Sequence, residues 1–123
     1  MKKINTTNFK RADRVADLIR VEMSDILLRQ IRDPRIGSLT VTDVKVTDDL
    51  RIAKIFFVEM GKDVVDPTTL KGLEQARSYI KRELGKRLQL RYVPDILFMH
   101  DESFAYGSRI DKLLAEIGKD DDA

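Results

Sequence analysis

Residue types that could carry out catalysis cluster once in the sequence, in the run His100-Asp101-Glu102-Ser103. Such groups can transfer protons, attack substrates or hold metals, but only when the fold gathers them in a defined geometry. Adjacent positions along a chain do not supply that geometry, and one histidine beside two acids lacks the spaced ligands of a metal site. The solvated end of a strand explains the run without any function. We therefore predict a protein that is not an enzyme and that uses no metal and no cofactor.

Basic residues form a denser pattern in the second half of the chain. Residues 71–92 contain seven basic and only two acidic side chains. With about 100° of rotation per helical residue, Arg82 and Lys86 fall opposite the apolar stripe of the helix predicted for this segment, and Lys81 flanks them. Arg87 projects near that stripe, and we expect its charge to extend into water. A row of this kind can follow a phosphate backbone, because each contact releases a condensed counterion. The alternative is an ordinary solvated helix face.

Two local charge conflicts are consistent with an anionic partner. Arg77 and Lys81 are four residues apart, so their like charges repel on an isolated helix by about 0.2–0.5 kcal/mol. Lys10, Arg11 and Arg14 lie on the first turns of the first helix, where positive charge opposes the helix dipole. An external anion would relieve both conflicts, although a frayed and solvated helix start explains the second one nearly as well.

Hydrophobic spacing predicts a long first helix from about Asn8 to Arg32. Thr7 or Asn8 could cap its start, and Asp33-Pro34 followed by Gly37 would end it. Its apolar stripe contains Ala12, Val15, Ala16, Ile19, Met23, Ile26 and Leu27.

A β-hairpin is predicted after this helix. The segment 39–47 is rich in β-branched residues, but its apolar alternation slips by one residue, which indicates a bulge near Thr42-Asp43. Asp48-Asp49 connects this strand to a second strand at residues 51–58.

The rest of the chain predicts a helical region, a strand and a last helix. Thr68 or Thr69 could cap the helical region, which runs to about Leu90 and precedes a strand at residues 94–99. The last helix spans Ser108–Ile117, with Ser108 and Asp111 at capping-box spacing and Gly118 as its end. The order α-β-β-α-(α)-β-α predicts a two-layer α+β domain, and the helical crossover allows parallel strand pairing.

Composition limits the classes of function. The chain has 123 residues, 36% of them charged and 42% hydrophobic, which suits one soluble domain. It contains no cysteine, which excludes disulfides and thiolate sites. The N-terminal lysines precede no apolar run, and no stretch is long enough to span a bilayer. We expect a cytoplasmic protein with no membrane partner and a disordered acidic tail at residues 119–123.

Short motifs occur in a fixed order from about Arg11 to Ile117. They are Arg14-Val15, Asp33-Pro34-Arg35-Ile36-Gly37, Leu39 to Val44, Asp49-Leu50, Ala53-Lys54-Ile55, Leu84-Gly85-Lys86, Leu88, Leu90-Arg91, Pro94, Phe98, His100-Asp101, Ser103 and Gly107. In this combination the chain resembles the ribosome-binding factor A family. The resemblance implies a type II KH-like domain over residues 1–118, with the order α-β-β-α-kink-α-β and a short C-terminal helix.

The resemblance also implies a function and a site. The family binds ribosomal RNA on free small ribosomal subunits, assists late processing and folding of that RNA, matters in the cold and is not enzymatic. It replaces the GXXG loop of ordinary KH domains by a helix-kink-helix on Ala-X-Gly, matched here by Ala76-Arg77-Ser78. Because serine stands where glycine is usual, a straight helix from Leu70 to Leu90 is the alternative.

We therefore predict a monomer that contacts RNA phosphates and takes no small-molecule substrate. The predicted contacts are Lys10, Arg11, Arg14, Arg77, Lys81, Arg82 and Lys86. The alternative function is a protein-interaction module whose surface consists of Val21, Leu28 and the C-terminal helix. A small enzyme is a third possibility, and it would need a pocket with a perturbed acid or base.

Overall fold

The computed structural model describes residues 4–31, 36, 38–62 and 64–122, with side chains described from residue 11 to residue 118 within those ranges. Within these ranges the chain forms three α-helices and a three-stranded sheet in two layers. The elements are α1 (Ile4–Asp25), a π-helical turn (Ile26–Gln30), β1 (Leu39–Val46), β2 (Ile52–Glu59), α2 (Pro67–Leu88), β3 (Asp95–His100) and α3 (Glu102–Asp122). The predicted α+β class is confirmed.

The apolar stripes of α1 and α2 form the core against one face of the sheet. Ile19 and Met23 of α1 and Ile80 and Leu84 of α2 are fully buried, and they share one cluster with Ile55 of β2. Burial of each such side chain contributes about 1.5–3 kcal/mol of transfer free energy. The packing fixes the orientation of α2 and therefore decides which of its side chains reach solvent.

The start and end of α1 differ from the prediction. The helix begins at Ile4, so Thr7 and Asn8 lie inside it and the predicted cap is wrong. Its regular part ends at Asp25 and is followed by a π-helical turn, whose last hydrogen bond joins the Ile31 amide to the Ile26 carbonyl. The predicted stop signals at residues 33–34 and 37 lie outside the described residues.

The sheet has the strand order β1-β2-β3. Strands β1 and β2 are antiparallel, and their register shifts between Val41 and Asp43, which confirms the predicted bulge and hairpin. Strand β3 pairs parallel to β2, with Ile52 opposite Asp95, because the α2 crossover returns the chain to the same end of the sheet. The slip in apolar alternation therefore marks a real extra residue in β1.

Helix α2 is one helix from Pro67 to Leu88. Asp66 caps its start by accepting a hydrogen bond from the Thr68 amide, so the predicted caps at Thr68 and Thr69 are two or three residues too late. The helix continues through residues 76–78 without a break, so the chain does not divide into two separate helices at Ala76-Arg77-Ser78. A bend at these three residues stays a prediction. Serine has a β-carbon and therefore less conformational freedom than glycine, and its helix propensity is higher. A helix is therefore less easily interrupted at serine than at glycine.

Helix α3 is longer than the predicted helix Ser108–Ile117. Asp101 accepts a hydrogen bond from the Phe104 amide at 3.0 Å and therefore caps a helix that begins at Glu102. The helix also continues past Gly118 to Asp122, so the predicted capping box and the predicted end are wrong.

Disorder at residues 119–123 and the domain limits 1–118 stay predictions. No helix in the described part of the chain is both long and apolar enough to cross a membrane.

Asp101 joins the bulge of β1 to the start of α3. Its second carboxylate oxygen accepts a hydrogen bond from the Thr42 hydroxyl, in the bulged segment. This bond, followed by the Phe104 amide, lowers the pKa of Asp101 below its ordinary value of 3.8. A carboxyl group with a lowered folded-state pKa stabilises the fold above its unfolded pKa, and that contribution is lost as the pH falls through the folded value.

We therefore expect Asp101→Ala to lower the free energy of unfolding at pH 7 by about 0.5–2 kcal/mol, the usual cost of losing a helix N-cap. The deficit should shrink as the pH falls through the lowered pKa of Asp101, because protonation removes the charge that the variant lacks at every pH. Urea denaturation at pH 7 and at a pH low enough to protonate the wild-type carboxyl measures both values. Asp111→Ala, on the exposed surface of α3, is the control, and an equal deficit at both pH values would contradict the assigned role of the charge.

Candidate nucleic-acid interface

The centre of the predicted basic row lies where the helix periodicity places it. Arg82 and Lys86 of α2 are both exposed, on the side of the helix away from the buried Ile80 and Leu84. The Arg82 guanidinium carbon lies 6.0 Å from the centre of the Tyr79 ring, a weak cation–π contact that leaves its hydrogen-bond donors available. We call Arg82 and Lys86 the α2 row.

The neighbouring cations of α2 already have acidic partners within the chain. Arg77 pairs with Glu74 at 2.7 Å, and its guanidinium also lies 3.4 Å from the Ile96 carbonyl oxygen. Lys81 pairs with Asp95 at 2.7 Å and holds the pKa of that carboxyl below its ordinary value. These acids relieve the predicted repulsion between the two cations. The repulsion therefore does not by itself require an external anion.

Arg87 connects the two core helices. Its side chain is only 18% exposed and lies 2.7 Å from Asp25 and 3.7 Å from Glu22, both on α1. It also reaches Glu83 of α2 at 3.5 Å. The hydrogen bond to Asp25 is the main reason that the pKa of Arg87 is raised. The expectation that the Arg87 charge extends into water is wrong, because the guanidinium is paired with these acidic residues. Their position beside Arg87 depends on how α1 packs on α2, which the sequence does not show.

The basic group of α1 is spread along the start of the helix. Arg11 and Arg14 are exposed, whereas Lys10 lies within α1 and its side chain is outside the described residues. Arg11 lines a cleft that also contains Asp95, the partner of Lys81. The structure thus brings Arg11 to the same cleft as the acidic partner of Lys81. A role in RNA binding stays a prediction for all seven predicted residues.

Sequence reasoning missed two arginines beside the same cleft. Arg51 follows the β1–β2 turn, and Arg91 follows the end of α2. They are 40 positions apart in the sequence and come together only because β3 begins beside the start of β2. The one signal in the sequence for a shared site was that Arg51 lies at the start of a predicted strand and Arg91 directly after a predicted helix.

His100 and Asp101, in the run of catalytic residue types at 100–103, have contacts within the fold. The His100 side chain is 5% exposed, with Nδ1 3.1 Å from Glu102 Oε1, and its ring packs edge-on to Phe57. Its Nε2 atom has no hydrogen-bond partner among the described residues. Asp101 is occupied by the cap of α3 and by Thr42. Within the described ranges, no group of three His, Cys, Asp or Glu residues could hold a metal ion.

Gly85 allows the α2–β3 connection to approach the helix that carries the α2 row. A β-carbon at this position would lie 2.7 Å from Val93 Cγ2, which is too close for an unshifted contact. We expect Gly85→Ala to destabilise the protein by about 1 kcal/mol, because overpacking costs more than the gain in helix propensity. Urea denaturation measures the change.

Gly107→Ala is the matched control for this prediction. Gly107 also lies in a helix, α3, but no atom lies within 4 Å of a β-carbon at that position. This substitution should be stabilising by about 0.5–1 kcal/mol, since alanine restricts the unfolded chain more than glycine does. If both substitutions stabilise equally, the close approach of Val93 does not limit position 85.

The topology and the exposed basic residues define a small KH-like α+β domain. It lacks the GXXG sequence of ordinary KH domains. Residues 11–114 match the sequence model of ribosome-binding factor A. The chain belongs to the ribosome-binding factor A family.

Similar proteins cover most of the chain. Ribosome-binding factor A of Syntrophus aciditrophicus (strain SB) is 65% identical over 116 residues, which is 94% of each chain. The crystal structure of ribosome-binding factor A from Thermus thermophilus matches with a TM-score of 0.65 and 18% identity, over 72% of this chain and 93% of that one. A Thermus thermophilus model fitted into a cryo-EM map of its 30S complex matches with a TM-score of 0.54 and 20% identity, over 69% and 93% of the two chains. At these low sequence identities, the two structural matches support a shared fold and nothing more specific.

Proposed function

We propose that this protein binds the small ribosomal subunit through ribosomal RNA and assists late processing and folding of that RNA. The observation that carries the proposal is the α2 row, Arg82 and Lys86, in which exposed cations lie on a helix fixed by a buried face. Because the helix backbone is already fixed, a phosphate contact has to order only the two side chains. Release of condensed counterions then favours association.

The family membership supports the same proposal. A relative with this fold has been placed in a complex with the 30S subunit, as its description states. We extend that association to this chain, together with action on free subunits in the cytoplasm, importance in the cold and a monomeric state. Each of these extensions is part of the proposal.

The proposed mechanism is selective binding without a chemical step. A protein that binds one conformation of an RNA better than another shifts the RNA toward the preferred conformation by the ratio of the two affinities. Cations on a fixed helix face discriminate between RNA conformations by the spacing of their phosphates. Arg87, which pairs with both Asp25 of α1 and Glu83 of α2, helps to hold that face in position.

Co-sedimentation with purified small subunits over a series of salt concentrations tests the proposal. If about six phosphates are contacted, the affinity should fall by about a thousandfold between 50 and 200 mM salt. Chemical probing of the subunit RNA should show protected positions when the protein is added. Absence of binding at low ionic strength would contradict the proposal.

Exposed apolar residues favour a second candidate function, a protein-interaction module. Val21 and Leu28 are 63% and 78% exposed, and Leu113, Leu114 and Ile117 of α3 are also largely exposed. An apolar interface of this kind should be nearly indifferent to salt, because its stability depends on removing apolar area from water. The same salt series therefore separates the two functions.

A further inference from the structure

A cleft of about 670 Å³ lies where α1, the β1–β2 turn and the connection between α2 and β3 meet. Each of these three segments contributes one arginine to its lining: Arg11, Arg51 and Arg91. All three are exposed, and none belongs to the α2 row. Tyr92 lies beside them and is 77% exposed.

We propose that this cleft binds one unpaired nucleotide of ribosomal RNA, with the phosphate on the arginines and the base on the Tyr92 ring. The inference rests on the proposed function and adds a second contact site, which is separate from the α2 row. An unpaired nucleotide fits because its base is available for stacking, whereas the bases of a duplex are already stacked.

The acidic groups of the cleft leave the arginines available for a phosphate. Asp95 is bonded to Lys81 at 2.7 Å. Asp49 accepts hydrogen bonds from the Thr47 hydroxyl at 2.7 Å and from the Arg51 amide at 3.1 Å. The Arg51 guanidinium lies 3.8 Å from Asp49 and its side chain is 84% exposed, so this ion pair is weak. Guanidinium groups with available donors bind phosphate oxygens through paired hydrogen bonds.

Tyr92 provides a flat surface at the rim of the cleft. The Arg91 guanidinium carbon lies 5.4 Å from the centre of its ring. In the described part of the chain Tyr92 does not belong to the hydrophobic core cluster, so its exposed ring is not needed for core packing. Stacking of a base on an exposed aromatic ring strengthens binding for every base type. The arginine–tyrosine pair can therefore hold a phosphate and its base together.

The backbone around the cleft is fixed before any ligand binds. Leu50 has a left-handed backbone with φ of 61°, which is unusual for a bulky residue, and its amide bonds to the Thr47 carbonyl at 2.8 Å. The Arg51 carbonyl accepts a hydrogen bond from the Asp95 amide at 2.8 Å, which joins the turn to β3. Strained backbone conformations held by surrounding bonds are common at ligand sites, where they position side chains in advance.

Binding of full-length variants to purified small subunits, measured over a salt series, tests the inference. Arg51→Gln combined with Arg91→Gln should lower the affinity by at least about tenfold and reduce the slope of log affinity against log salt by about 1.4. Tyr92→Ala should lower the affinity by at least about fivefold without changing that slope, because stacking releases no counterions. A six-nucleotide oligouridylate, used as a probe of unpaired RNA, should show the same order of effects.

A second arginine–tyrosine pair supplies matched controls. Arg109 lies 5.5 Å from the ring centre of Tyr106, on α3 and away from the cleft. Arg109→Gln and Tyr106→Ala should leave subunit binding unchanged.

Each failure has a separate meaning. If the wild-type protein binds no subunits, the proposed function is wrong. If it binds with a steep salt dependence but the cleft variants match it, the function stands and the inference is wrong. If the arginine variant binds weakly but Tyr92→Ala binds as tightly as the wild-type protein, the cleft binds a phosphate without its base. The proposed nucleotide site is wrong in that case too.

Discussion

Replacement of both Arg82 and Lys86 by glutamate is expected to lower the affinity for small ribosomal subunits by about a hundredfold at moderate ionic strength. The reason is the loss of two phosphate contacts and the introduction of repulsion at the same positions. Replacement by glutamine should have a smaller effect and reduce the salt slope by about 1.4–1.8. Co-sedimentation over a salt series measures both quantities. The melting temperature should stay nearly unchanged, because both side chains are exposed.

Lys45 and Lys54 provide a control with the same change of charge. They lie directly opposite each other on β1 and β2, and both are exposed. Changing both to glutamate leaves a like-charged pair and removes the same number of positive charges from a different face. If this variant loses as much affinity as the α2 variant, net charge governs binding and the α2 row has no particular role. An unchanged salt slope in the α2 variant would also contradict the assignment.

Replacement of Leu84 by alanine is expected to lower the free energy of unfolding by about 2–5 kcal/mol. Leu84 is fully buried in the cluster that joins α1, α2 and the sheet, so truncation removes apolar contacts and leaves a cavity. A loss of this size is a large part of the total stability of a small domain. Urea denaturation followed by circular dichroism measures the change.

Leu114→Ala is the matched substitution on an exposed helix face. Leu114 is 60% exposed on α3. The same truncation there should change the free energy of unfolding by less than about 0.5 kcal/mol. A comparable loss at both positions would show that α3 packs on the domain in solution, and it would remove the exposed surface on which the second candidate function depends.

Much of the fold was predictable because apolar spacing records which side chains face the core. The stripes of α1 and α2 are buried as expected, and the slipped alternation in β1 corresponds to the bulge after Val41. Helix ends were less predictable. Asp66 and Asp101 cap α2 and α3, whereas the sequence favours Thr68 or Thr69 for the first and Ser108 for the second, because several residues near each helix start could serve as caps.

The candidate site was predictable only where one helix determined it. The exposure of Arg82 and Lys86 follows from helix periodicity and the buried stripe of α2. The ion pairs of Lys81 with Asp95 and of Arg87 with Asp25 join residues 14 and 62 positions apart. Local spacing does not reveal such partners. For the same reason, the proximity of Arg51 and Arg91 beside one cleft could not be predicted from the sequence.

The parallel pairing of β3 with β2 has a consequence for the order in which the protein folds. Hairpin partners lie at most 20 positions apart, as in Leu39 and Glu59, whereas Ile52 meets Asp95 across 43 positions. Contacts between distant positions form slowly, because a long segment must first be ordered. During synthesis, the hairpin can close as soon as it leaves the ribosome. The last strand of the sheet can join only after the whole of α2 has emerged.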